Sequence, residues 1–167
     1  NQPNHQGITP LMTSTSLNHH EIVKTLLEYG ADVNKTDEKG WTALIKASNN
    51  GHIDIIKNLL KHGADVNRTN NEGFSPLFIV VEKEYFDIMK VLLEHGADPN
   101  LFNKRRISPL TLAVQKMNLL LVKPLVDHGG DVETLTEAQR DFARRLLNGE
   151  IKQKSSDLHS DQKRTKD

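Results

Sequence analysis

One spacing, 33 residues, governs this chain: Gly30-Ala31-Asp32 returns as Gly63-Ala64-Asp65, as Gly96-Ala97-Asp98 and, altered, as Gly129-Gly130-Asp131. A second block keeps the same step. Gly7-Ile8-Thr9-Pro10-Leu11 becomes Gly40-Trp41-Thr42-Ala43-Leu44, then Gly73-Phe74-Ser75-Pro76-Leu77, then Arg106-Ile107-Ser108-Pro109-Leu110. A unit this small buries its apolar face only against copies of itself, so the period predicts a stack of units with a long thin core.

Within each unit the residue types predict two short helices. Thr9, Thr42, Ser75 and Ser108 precede Pro or Ala. Their hydroxyls suit the N-cap, and a proline suits the first helical position because the amide it lacks is unpaired there anyway. A second helix is predicted from apolar residues at helical spacing, Ile22, Val23, Leu26 and Leu27 in the first unit and their counterparts Ile55, Ile56, Leu59 and Leu60 in the next. Gly30, Gly63, Gly96 and Gly129 stop it. The polar, turn-prone stretch of about ten residues that follows is expected to project as a hairpin-like loop.

Helix, turn, helix and projecting loop at this period, with Thr-Pro-Leu and Gly-Ala-Asp-Val-Asn signatures, resembles the ankyrin repeat. The resemblance covers 4–133 and implies an all-α fold, an α-solenoid of four repeats at about 4–36, 37–69, 70–102 and 103–133. Departures are visible. The histidine usual after Thr-Pro-Leu is replaced by Met12, Ile45, Phe78 and Thr111. Glycine between the helices survives only at Gly51, with Asn18, Glu84 and Met117 elsewhere. Arg106 stands where a loop glycine belongs, and Pro124 inside a second helix predicts distortion, so the fourth unit should be the least regular.

The ends read differently. Thr13, Ser14, Thr15 and Ser16 occupy expected Ala or apolar positions, which suits a solvent-facing N-terminal cap and equally a truncated array. Beyond Glu133, Thr136 with Gln139 makes a capping-box pattern ahead of an apolar stripe through Leu146 and Leu147, which predicts a capping helix over 134–149. A charged, disordered tail is expected over 150–167. The chain opens on Asn1 without Met, and an excised piece of a longer protein is expected.

Composition excludes more than it suggests. Lys plus Arg and Asp plus Glu are 22 each, so no global field draws the chain to nucleic acid or anionic membrane. Cysteine is absent, which removes disulfides and thiolate metal sites and points to an intracellular setting, cytoplasm or nucleus. No run approaches the roughly 18 apolar residues of a membrane span. No nucleotide-binding glycine motif, nucleophile elbow or zinc-protease signature appears, so no enzyme activity, cofactor or metal is expected. His62, His95 and His128 recur at the period. Neighbouring repeats stack about 8 to 10 Å apart, whereas two ligands of one zinc each lie about 2 Å from it, so these read as repeat-position residues.

What remains is binding. The resemblance implies a monomeric, non-catalytic scaffold or adaptor that meets a protein partner through its loops and the exposed side of its first helices. Transferred position by position, this gives a ladder of Ile8, Trp41, Phe74 and Ile107, loop residues Lys39, Glu72 and Arg105, and helix residues Lys46, Asn49, Asn50, Phe78 and Lys83. Phe102 adds an aromatic near the last loop, and Lys104-Arg105-Arg106 makes that loop basic. The ladder reads equally as packing that stabilises the stack. Asn34 and Asn67 are expected to brace adjacent loops; both match Asn-x-Thr sequons, and their context resembles ankyrin segments hydroxylated on asparagine. Two rival readings stand: an oligonucleotide stacked on loop aromatics, and an internal scaffold or autoinhibitory segment of a larger protein. An apolar patch at the N-terminal end would favour the latter.

Overall fold

The structure, a computed structural model, describes residues 2–150. Among them it is helical without strands: α1 (Pro10–Ser16), α2 (His20–Glu28), α3 (Ala43–Asn50), α4 (Ile53–Lys61), α5 (Pro76–Glu82), α6 (Phe86–Glu94), α7 (Pro109–Gln115), α8 (Leu119–Asp127) and α9 (Glu137–Leu147), with one 3-10 turn at Val132–Thr134. The tail expected from residue 150 lies, from 151 onward, outside the described residues. No described helix is long and apolar enough to cross a membrane.

The first helix of every unit starts as its residues predict. Thr9, Thr42, Ser75 and Ser108 accept from the amides of Met12, Ile45, Phe78 and Thr111 at 3.2, 3.1, 3.1 and 3.1 Å. Each such bond satisfies one of the amides that an N-terminal turn leaves unpaired, typically stabilising the helix by about 1 kcal/mol. Because the helices repeat, their apolar positions line up. Leu11, Leu44, Leu77 and Leu110 form one buried row, and Leu59, Leu92 and Leu125 another. First helices pack on first helices and second on second along the whole stack. At the far end α9 lies on α7 and α8 and buries Ala143 and Leu146. Its capping box is formed by Thr136 and Gln139.

Two loop systems tie the units together. Asn34, Asn67 and Asn100 each donate to a glycine carbonyl of the next unit, Gly63, Gly96 and Gly129, at 3.0, 3.1 and 2.9 Å. They accept from Asp65, Asp98 and Asp131 at 2.7, 2.8 and 2.8 Å. The projecting loops also bond directly, through the Glu38 amide to the Gln6 carbonyl, Asn71 to Lys39 and Lys104 to Glu72. That contact is close enough to demand glycine. A Cβ on Gly40 would lie 2.8 Å from the Asn71 backbone nitrogen, and one on Gly73 2.8 Å from Asn103 Cα.

Two departures come out otherwise than expected. Pro124 sits inside an unbroken α8 of nine residues, as long as the three other second helices. The carbonyl its ring deprives of a donor belongs to Leu120, which is 59% exposed, so the missing bond falls on the solvent side of the helix. Ser14 and Thr15 are buried, so they do not form the solvent-facing surface that their polarity suggested. Ser14 satisfies its hydroxyl on the Pro10 carbonyl at 2.7 Å.

Candidate binding face

The loop of the second unit is built around Asp37. One carboxylate oxygen accepts the amides of Lys39 and Trp41 at 3.0 and 2.9 Å, which closes the turn and aims the indole. The other receives Lys46 Nζ at 2.8 Å. Lys46 reaches it from α3, and its ammonium also lies 5.6 Å from the centre of the Trp41 ring, within range of attraction by the π face. The side chains of Asp37 and Lys46 are only 8% and 18% exposed. Burial by itself would raise the Asp37 carboxyl pKa. The Lys46 hydrogen bond, the Trp41 amide, the Lys46 charge and the Lys39 amide together outweigh it and hold the group below its ordinary value.

Beside this pair opens a cleft of about 390 Å³ between the first and second units. Five of the expected contact residues, Lys39, Trp41, Lys46, Asn49 and Asn50, line it. Ile8 joins them from the first loop, packed on the core from its other side. Asn50 donates to the Ser16 carbonyl across the junction at 3.2 Å and accepts from Asn49 at 3.1 Å, so the amide floor is fixed too.

The other candidates are distributed. Phe74 stacks on Phe78 with ring centres 5.0 Å apart and planes 21° from parallel. Phe78 is 5% exposed, so it packs under Phe74 and presents no surface of its own, as at the equivalent Met12 and Ile45. Glu72, Lys83 and Arg105 are exposed on the third and fourth units, and Ile107 is half-buried. Phe102 is exposed with the Arg106 guanidinium 5.7 Å from its ring centre. Asn34 and Asn67 are half-buried with both side-chain amide groups engaged as braces. The recurring histidines also have a structural partner: His62, His95 and His128 each place Nδ1 against a carbonyl of their own helix, at 2.9, 2.7 and 2.8 Å.

The family model described as Ankyrin repeats (3 copies) matches at residues 1–70, 30–103 and 65–136. The chain belongs to the ankyrin repeat family. Ankyrin repeats are generally protein-interaction modules and typically non-catalytic. Five residues that repeat register nominates for contact in this ankyrin array line the cleft, but register gives no place to Asp37, which holds the loop and Lys46 together. A signal was present: the equivalent loop positions hold Asn4, Asn70 and Asn103, and only the unit with an aspartate has a lysine nine residues later.

Proposed function

We propose that this ankyrin array is a non-catalytic adaptor that binds a protein partner as a monomer inside the cell, with the cleft around Trp41 as its principal contact face. The observation that carries the reading is convergence: an indole, an ion pair and an amide pair are held by backbone-anchored bonds around one opening. Groups fixed before binding lose little freedom when a partner arrives, so affinity rests on a few anchors. A large rigid aromatic at the mouth of a cleft is the commonest kind of anchor. Phe74, Phe102, Arg105 and Lys39 extend the same face along the loops.

An oligonucleotide fits the cleft less well. Lys46 is already neutralised by Asp37, and Glu38 adds a second carboxylate to the lining. Hydroxylation at Asn34 or Asn67 would require an enzyme to draw the side chain out of its bonds to the next unit. An added oxygen on these residues by mass spectrometry would establish it.

The test is retention of proteins from a cell extract by the wild-type chain, Trp41→Ala and Arg105→Ala, with thermal melting of each. The expected result is a loss of about tenfold or more in the retained partner for Trp41→Ala at an unchanged melting midpoint. Full retention by Trp41→Ala would remove the cleft from the contact face. Quenching of Trp41 fluorescence by a short oligonucleotide, saturable and absent with protein fractions, would replace this reading with the nucleic-acid one.

A further inference from the structure

Ile22 is 50% exposed, whereas the residues at its position in the next three units, Ile55, Ile88 and Leu121, are 0%, 5% and 0% exposed. Leu26 repeats the contrast: it is half-buried, and its counterparts Leu59, Leu92 and Leu125 are fully enclosed. Leu17, at the end of α1, adds a further exposed apolar side chain to the same unit. Helix α2 thus carries the apolar pattern of an internal second helix, and no described helix covers one side of it. At every internal junction the side in question is covered by the second helix of the preceding unit, α2 on α4, α4 on α6 and α6 on α8.

The matching surface is the trailing side of such a helix pair. Within this chain the last trailing side, on α7 and α8, is occupied by α9. A second copy therefore has no complementary face to offer, and two α2 faces set against each other would pair leading side with leading side. We propose that the outer face of α2 with the end of α1 is a stacking interface for one further ankyrin-type helix pair, carried in line with the four described units. The inference rests on burial at equivalent positions and is independent of the binding role of the cleft. The apolar residues at Ile22 and Leu26 fit this, since a terminal unit is expected to present a polar outer face there.

The experiment extends the full chain by placing a copy of residues 37–69 ahead of residue 4, and compares parent and extended proteins with and without Ile22→Lys. Stacking predicts one cooperative transition with a midpoint raised by about 5 °C or more. It also predicts hydrogen-exchange protection of α2 increased on the order of tenfold. Ile22→Lys should move the parent midpoint little and the extended midpoint strongly. A copy of residues 70–102 serves if the first extension does not fold. Two separate transitions, unchanged α2 exchange with both extensions, or equal effects of Ile22→Lys in parent and extended chains would overturn the proposal. So would a parent protein that sediments as a dimer and becomes monomeric with Ile22→Lys, since the face would then be closed by a second copy.

Discussion

The second and third units make the same loop with different chemistry. Asp37 accepts the amides two and four residues on at 3.0 and 2.9 Å, and Asn70 accepts its own pair at 3.0 and 3.0 Å. Above that shared turn stand Trp41 in one and Phe74 in the other. The helix position facing the turn holds Lys46 in the second unit and buried Ile79 in the third. An amide oxygen and an aliphatic side chain are therefore enough to build the loop. Drawing two charges out of water costs as much as their attraction returns in many proteins, and an apolar pair of similar size often does as well. The Asp37 and Lys46 pair is consequently surplus to folding, and it lies on the cleft.

The most severe way to break this comparison is Asp37→Ala, which removes the acceptor of two amides and strands Lys46. It should destabilise by about 2 to 3 kcal/mol in urea unfolding, against about 1 to 2 for Asn70→Ala, which loses the amide bonds alone. Equal losses would mean that Lys46 contributes nothing. Lys46→Ala leaves a largely buried carboxylate with only amide partners and should cost about 1 to 2 kcal/mol. Converting the second loop to the third, Asp37→Asn with Lys46→Ile, should return stability to within about 1 kcal/mol of the parent, so the two changes are non-additive. A double variant as unstable as the sum of its parts would show that the charges are structural after all.

Acid sharpens the same point. The folded Asp37 carboxyl lies below the ordinary aspartate range, so its stabilising contribution is complete above the unfolded value and is lost as pH falls through the folded value. Asp37→Asn should flatten this part of the acid unfolding profile, while Asn70→Asp should leave the region around the second loop untouched. The smallest effect concerns the turn between helices, which is glycine in the second unit (Gly51, φ 76°) and glutamate in the third (Glu84, φ 58°). Glu84→Gly should gain up to about 1 kcal/mol by relieving the left-handed backbone, since the exposed ion pair it gives up with Lys116 is worth less.

Much of the architecture was legible because it depends on features that recur at fixed spacing: hydroxyl caps, apolar pairs and terminal glycines. Arg106 was legible as a departure but not in its cause. It adopts φ 58°, close to the glycines it replaces, and is tolerated because the chain turns into α9 instead of making another loop against it. The cleft was only partly legible. Trp41 and Lys46 could be placed on the surface by register, but the carboxylate that joins them acts through the path of a turn, which no helical or repeat period encodes. Phe78 shows the converse, a position that register alone placed at the surface and that is buried in the first three units alike, at Met12, Ile45 and Phe78.

The asparagine braces give the array a mechanical character. Each of Asn34, Asn67 and Asn100 makes two bonds across one junction and none across any other. Under tension applied at the two ends, a junction that opens surrenders its own clasp and leaves the neighbouring clasps closed. The array should therefore lengthen in discrete jumps of one unit and, when relaxed, find each clasp again in turn, the behaviour of a ratcheted spring more than of a thread that tears. Force-extension traces that rupture in a single event spanning all four units would contradict this.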